Sequence, residues 1–274
     1  MRGVRERIHL PGGQSFRVIR WSHDLRDIEC LLGINKAQRT VGEGAHWHYH
    51  LEMELTLFTS GQGTRFVGDH IGPFAAGDVV LLGEKLPHYW HLADASSGIS
   101  VQWHFPKSHP FWTFPETVTL EPLFRAAGRG LRYTGSASAA LASELQRFPS
   151  AGEVDRFAIL VRLFAIMAAA PERDRSQLST RSFCLPTDSQ YQETMGAVMR
   201  YLIANFRGEV RLEDVLRLCR PRPLAVGLDL YDGRMGAGAL PARHPCALGR
   251  RGGRRRSDDP HARGRRGAHS RLCL

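Results

Sequence analysis

The sequence predicts an all-β barrel over residues 16–105, followed by an α-helical linker, a partial helical second domain and a disordered basic tail. Residues 16–105 contain many short apolar runs, and Gly-rich turn signals separate these runs at regular intervals. After residue 122 the apolar residues repeat with helical spacing, and this periodicity stops at Cys219. A chain of 274 residues is long enough for two compact domains joined by a linker.

The composition excludes several classes of protein. No apolar run approaches the length of a membrane-spanning helix, and residues 1–13 contain nothing that resembles a signal peptide. We therefore expect a cytoplasmic protein without a membrane partner. The five cysteines are odd in number and never form a CxxC pair, which argues against a disulfide framework and a cysteine zinc site.

The formal net charge of +10 belongs almost wholly to residues 220–274. This segment contains 13 Arg and 4 Asp, whereas residues 1–219 contain 24 basic and 23 acidic groups. The body of the protein therefore has no strong field that would attract DNA or an anionic membrane. Arg, Gly, Ala and Pro dominate the segment, which has no apolar periodicity, so we predict that it is disordered.

Residues 106–187 are predicted to contain an ordered connector, a helical region and an interdomain linker. Four prolines among aromatic residues mark the connector at 106–122, and polar residues mark the linker at 171–187. The helical region between them has one apolar stripe, formed by Phe157, Leu160, Val161, Phe164 and Met167. This stripe either packs on the barrel or forms the interface of a homodimer.

Residues 188–219 are predicted to form two short amphipathic helices. The first has an apolar stripe that ends at Phe206, just before Gly208, which suits a helix C-terminus. The second begins near Leu212, with Glu213 and Asp214 in the first turn, where they suit the helix dipole.

The candidate site lies in residues 42–61. His48, His50 and Glu54 share parity, so one strand would present all three on the same face. His88 follows in a later strand and turn. Imidazole and carboxylate groups suit divalent Fe, Mn, Ni or Zn, although the same four side chains could instead hydrogen-bond a small molecule, water or each other. Trp90 and Trp103 could stack on a sugar ring, with a place in the core as the alternative for each.

Residues 42–61 resemble the first motif of the cupin family, G-x5-H-x-H-x3-E-x6-G. The matching residues are Gly42, His48, His50, Glu54 and Gly61. The second cupin motif, G-x5-P-x-G-x2-H-x3-N, is matched at Gly77 and His88 and not at Gly83, Lys85 and Leu92. The resemblance implies a cupin barrel, a fold that serves either as a small-molecule pocket or as a metal site.

The order of barrel, aromatic connector and helices, followed by MRYLIANFRGEVRLEDVLRLC, resembles the AraC family of bacterial transcriptional regulators. The resemblance implies a regulator without enzymatic activity or a required cofactor, which binds an effector such as a sugar in the barrel and contacts DNA through two helix-turn-helix units. It ends at Cys219, where Arg220-Pro221-Arg222-Pro223 would disfavour a recognition helix. The change in composition is typical of a GC-rich gene translated in the wrong frame, so we expect DNA binding to be lost or impaired.

Two alternatives stay open. The first is a metal-dependent cupin enzyme, an oxygenase or isomerase, with His48, His50, Glu54 and His88 as ligands. The second is a native Arg-rich tail that binds nucleic acid loosely through phosphates. It predicts salt-dependent binding that disappears when residues 220–274 are deleted.

Overall fold

The computed structural model describes residues 4–42, 44–182, 189–206 and 208–219. The predicted disorder of residues 220–274 lies outside these residues. The described strands are β1 (Val4–Arg5), β2 (Phe16–Trp21), β3 (Asp27–Gly33), β4 (Lys36–Val41), β5 (His48–Tyr49), β6 (Met53–Ser60), β7 (Gln62–Val67), β8 (His70–Ala75), β9 (Val79–Leu82), β10 (His88–Leu92), β11 (Ser97–Trp103), β12 (Leu131–Tyr133) and β13 (Arg175–Gln177). The described α-helices are α1 (Glu121–Ala127), α2 (Gly135–Leu145), α3 (Glu153–Ala169), α4 (Ser189–Asn205) and α5 (Leu212–Cys219).

The strands form two sheets. The small sheet has the order β1-β5-β10-β7-β8, and the large sheet has the order β13-β12-β9-β6-β11-β2-β3-β4. Neighbouring strands are antiparallel, except that β1 and β5 run parallel. The prediction that the first part of the chain is built from antiparallel β-structure is therefore confirmed.

Side chains alternate between the two faces of the large sheet, so the protein has one apolar core on each face. Thr56 and Phe58 of β6 face the space between the two sheets, whereas Leu55 and Leu57 face the helices that cover the large sheet. Across the space between the sheets, the ring of Phe58 lies 5.0 Å from that of Trp90 on the small sheet. The two sheets thus pack face to face, and the candidate site lies between them.

The helical region covers the outer face of the large sheet. The apolar stripe of α3 divides there, because Leu160, Phe164 and Met167 are buried, whereas Phe157 and Val161 remain 46% and 43% exposed. Packing on the barrel therefore accounts for three of the five residues of the stripe. Formation of a homodimer stays a prediction, and the exposed residues Val154, Phe157 and Val161 are its candidate surface.

Two short strands lie where the sequence predicted other structure. β12 interrupts the helical region and pairs with β9, and β13 lies in the predicted linker and pairs with β12. Residues 171–182 of the predicted linker are thus partly held on the large sheet, while residues 183–188 lie outside the described part of the chain, and the linker role stays a prediction. Strands of three residues are too short to show a period in the sequence, and they form because the free edge of β9 offers unpaired backbone groups.

The segment after β13 is also held on the barrel. Ser179 donates a hydrogen bond to the carboxylate of Asp69 at 2.7 Å, and the Thr180 backbone N–H donates to it at 2.8 Å. The Thr180 hydroxyl also donates to this carboxylate, and it contributes most as the three bonds lower the pKa of Asp69 to about 2.

The two helices predicted after the linker are present as α4 and α5. The Tyr201 hydroxyl of α4 donates to the carboxylate of Asp214 on α5 at 2.8 Å. Of all the helices in the described ranges, none combines the length and apolar character that crossing a membrane would require.

Candidate metal and ligand site

The candidate residues converge from both sheets. His48 lies on β5 of the small sheet and Glu54 on β6 of the large sheet, because the chain crosses between the sheets over residues 50–52. His88 lies on β10 directly opposite His48. The prediction of one strand with three side chains on one face is therefore wrong, although the four side chains do meet. Parity on a continuous strand could not reveal the crossover.

The glycines at both ends of the first motif lie where the neighbouring residues leave no room for a side chain. A Cβ on Gly42 would lie 2.2 Å from the Leu25 carbonyl oxygen. Gly61 has a φ of +90°, and its Cβ would lie 2.6 Å from Ser96 Cβ. Neither position accepts a side chain without a shift of the backbone. Lys85, which replaces the glycine of the second motif, has a φ of +58°, so this position also has a left-handed conformation.

The three histidines share one hydrogen-bonding arrangement. The Nδ1 atoms of His48, His50 and His88 lie 2.8, 2.8 and 2.9 Å from the carbonyl oxygens of His46, Glu52 and Leu86. A carbonyl only accepts, so each Nδ1 carries the proton and each Nε2 is left for another partner. All three rings are buried, and one ring nitrogen from each lies within 4.8 Å of the others.

Glu54 adds a carboxylate beside this cluster. Its Oε2 atom lies 3.3 Å from His50 Nε2, which is buried and makes no hydrogen bond. The Gln102 amide donates to Oε2 at 2.6 Å, and the Thr56 hydroxyl donates to Oε1 at 2.5 Å. A carboxylate oxygen and an imidazole lone pair repel each other, so this contact requires a proton or a cation between them.

The electrostatics place that proton on His50. Burial opposes a charged imidazole, but the Glu54 carboxylate outweighs this effect and raises the pKa of His50. Burial by itself would raise the pKa of Glu54, but the contact with His50 lowers it. Burial, together with the neighbouring rings, lowers the pKa of His48 to about 3 and that of His88 to about 4. At neutral pH, His48 and His88 are therefore neutral and can act as ligands.

The residues fit a divalent metal ion. Three imidazoles, each oriented by a hydrogen bond from Nδ1 to a carbonyl, are the arrangement that metal-binding histidines adopt in proteins. His48, His50 and His88 could supply three nitrogen ligands, with Glu54 as a carboxylate beside His50. Binding of a metal to His50 would have to replace this proton.

The cavity at this cluster has a volume of about 30 Å³. That space holds on the order of two water molecules, and ordinary small-molecule pockets are about ten times larger. Trp90 lines the cavity, whereas Trp103 lies on the opposite face of the large sheet, where its ring is 5.0 Å from that of Phe164. Of the two tryptophans, only Trp90 is therefore placed to contact a ligand in the cavity.

Sequence reasoning missed three polar residues near the cluster. Glu6 lies 3.5 Å from His48 Nε2, and its other oxygen pairs with Arg17 at 3.3 Å. Arg17 donates to Gln102 at 2.8 Å, which in turn binds Glu54. The one signal in the sequence was that Arg17 and Gln102 are polar residues within largely apolar strands, which suggests that they have buried partners.

Of the known proteins compared with this chain, only solved structures resemble it. No protein-family model matches the chain, and no curated protein is similar to it. The AraC-like transcriptional activator CuxR is 13% identical, with a TM-score of 0.35 over 76% of this chain and 73% of that one. ToxT from Vibrio cholerae O395 is 15% identical, with a TM-score of 0.32 over 77% and 73%. A Cupin 2 conserved barrel domain protein from Salinispora arenicola CNS-205 is 20% identical, with a TM-score of 0.22 over 35% and 70%. Likeness at this level does not establish a family.

Proposed function

We propose that the chain is the ligand-sensing part of a transcription regulator of the AraC type. The observation that carries the proposal is the alternation along β10. His88 and Trp90 face the cavity, and His91 faces the opposite side, where it contacts the end of α4. One strand thus connects the candidate site to the helices that resemble a DNA-binding domain.

The contact between the barrel and α4 is aromatic. The ring of Phe206, directly after α4, lies 5.6 Å from His91 and 5.4 Å from Phe66 of β7. The Tyr89 hydroxyl lies 3.0 Å from His91 Nδ1, so the ring that contacts Phe206 is itself held by a neighbour. A ligand that draws His88 inward would move a strand that also positions Phe206, and such differential contact is what a sensor requires.

Co²⁺ is expected to change the exchange of backbone amides in α4 when it binds the barrel. We expect at least a twofold change in hydrogen exchange over residues 198–206, measured by mass spectrometry of the full chain with and without Co²⁺. Phe206→Ala should abolish this change without altering the affinity for Co²⁺. Phe157→Ala, which replaces a half-exposed ring on α3, is the matched control and should behave like the unaltered chain. Unchanged exchange in α4 despite bound Co²⁺ would contradict the sensor role.

The DNA-binding half of the proposal is that operator binding is lost or impaired in this chain. In α5, Leu212 and Leu216 remain 67% and 51% exposed, and the helix has no buried residue. In a complete helical domain, such an apolar face would pack against further helices. The composition of residues 220–274 supports the same proposal, because a frameshift would replace those helices with an Arg- and Pro-rich segment.

Translation of the encoding DNA after codon 219 tests this half of the proposal. We expect one of the other two frames to encode a recognition helix and a second helix-turn-helix unit. The protein restored to that frame should bind a discrete DNA sequence in a selection from random duplexes, whereas the present chain should not. If neither frame encodes a helical pattern, the tail is native and the regulator proposal fails.

The second candidate is the metal-dependent cupin enzyme. A bound divalent metal would supply Lewis acid or redox chemistry there, and His48, His50, His88 and Glu54 would hold it. We propose a sensor without catalysis because a cavity of about 30 Å³ leaves no room for an organic substrate beside the metal.

A further inference from the structure

A second and larger cavity lies at the mouth of the barrel. It has a volume of about 580 Å³ and lies between residues 5–11 and the strands β2, β3 and β4. Small-molecule pockets generally have volumes of about 300–1,000 Å³. We call this cavity the mouth groove. Its polar lining consists of Arg5, Arg7, His9, Arg17, Gln38 and Thr40, together with Glu6.

Arg17 forms the inner wall of the mouth groove. Its side chain is only 8% exposed, and Gln102 and Glu6 bind its Nε and Nη2 atoms. Among the described residues, no hydrogen bond involves its Nη1 atom. Because Gln102 holds the guanidinium in place, Nη1 is a preoriented donor on a residue that lines the groove.

The opposite wall of the groove is also basic. Arg5, Arg7 and His9 alternate along the N-terminal segment, and all three line the groove. In the described part of the chain, neither Arg5 nor Arg7 forms an ion pair. With Arg17, they give three positive charges against the single negative charge of Glu6. This local excess contrasts with the near-zero balance of residues 1–219.

The groove also has an apolar side. Leu10 is 40% exposed and Val41 is 77% exposed, and both line the groove beside Pro11 and the buried Cys30. A ligand that satisfies both sides needs an anionic head for Arg17 and an apolar body for Leu10 and Val41. Neutral sugars offer neither group.

We propose that the mouth groove binds an organic anion, with a carboxylate or phosphate head on Arg17 and an apolar body on Leu10 and Val41. This inference rests on the proposed sensor function and names its effector class. Glu6 connects the groove to the histidine cluster, since one carboxylate contacts both Arg17 and His48. An anion on Arg17 would compete with Glu6 and so change the surroundings of His48.

Calorimetric titration of the full chain with three ligands of one shape tests the proposal. The ligands are 2-naphthoate, 2-naphthyl phosphate and the neutral 2-naphthamide. We expect at least one anion to bind tenfold or more tightly than the amide, and the tighter of the two identifies the head group as carboxylate or phosphate. Equal binding of the amide and both anions would overturn the proposal.

Variants separate the mouth groove from the basic tail, which attracts anions by itself. Arg17→Gln and, with less risk to folding, the exposed Arg7→Gln should each weaken anion binding at least tenfold. Arg20→Gln is the matched control, because Arg20 lies on the same strand but pairs with Glu29 outside the groove. Anion binding that is unchanged in both groove variants would assign it to the tail and overturn the proposal. Selective anion binding that depends on Arg17 and Arg7 would support the mouth groove as an anion site. If hydrogen exchange in α4 then does not change, only the sensor function fails.

Discussion

Replacement of His88 with alanine is expected to lower the affinity of the purified chain for Co²⁺ by about 100-fold or more. Loss of a residue that only hydrogen-bonds to a metal ligand typically lowers metal affinity about 10–100-fold. His88 would bind the metal directly, so its loss should have a larger effect. Calorimetry and the visible absorption of bound Co²⁺ would measure the effect. His23→Ala is the matched control, because His23 is exposed on a loop away from the cluster. Equal affinity in His88→Ala and the unaltered chain would show that the cluster is not the metal site.

The same titration should depend on pH in a defined direction. Binding of Co²⁺ must remove the proton that Glu54 stabilises on His50, and this carboxylate raises the pKa of His50. Below that raised pKa, each unit of decreasing pH should therefore weaken the apparent affinity about tenfold, because one proton competes with the metal. Glu54→Gln should shift this dependence to lower pH, since it removes the charge that favours the imidazolium ion. An affinity that is independent of pH between 8 and 5 would contradict the assignment of the proton to His50.

The metal-free chain is expected to lose about 3 kcal/mol of its free energy of unfolding between pH 7 and pH 5. In the folded state, burial lowers the pKa of His48 to about 3 and that of His88 to about 4, whereas both are near 6.5 in the unfolded chain. The unfolded state therefore takes up two protons in this range that the folded state does not. Stability is full above pH 6.5 and decreases as the pH falls below that value, by about 1.4 kcal/mol per pH unit for each histidine.

Urea unfolding in the presence of a chelator, at pH 7, 6 and 5, would measure this loss. Carboxylates with a lowered pKa, such as Asp69, act in the same direction but only below about pH 4. The raised pKa of His50 acts in the opposite direction and offsets a small part of the loss. In the double variant His48→Gln/His88→Gln, the free energy of unfolding should depend much less on pH. In His23→Gln, it should depend on pH as in the unaltered chain. A free energy of unfolding that is constant over this range in the unaltered chain would contradict buried neutral histidines.

These predictions depend on features that the sequence could indicate only in part. The spacing of His48, His50 and Glu54 selected side chains that do lie together, but it suggested one face of one strand. In the structure, residues 50–52 cross between the sheets, and the cluster forms where β5, β6 and β10 meet. Parity describes a continuous strand and cannot show where a strand ends and changes sheets.

The tertiary structure also separates the two tryptophans that were indistinguishable in the sequence. Trp90 and Trp103 lie on different sheets, and only Trp90 faces the cavity. The same applies to the α3 stripe, because helical periodicity groups Leu160 with Val161 although only the first is buried. A period of 3.6 residues identifies an apolar face, but the width of the neighbouring sheet determines how much of that face becomes covered.

The sequence by itself determined the succession of β-structure and helices, the glycines that the turns require and the four side chains of the candidate site. These features depend on local periodicity and on backbone conformation, which neighbouring residues specify. Only the tertiary structure decided how those side chains meet, that β12 and β13 complete the large sheet, and that residues 5–11 form a basic groove with Arg17. Such contacts join residues far apart in the chain, and no local pattern encodes the distance between them.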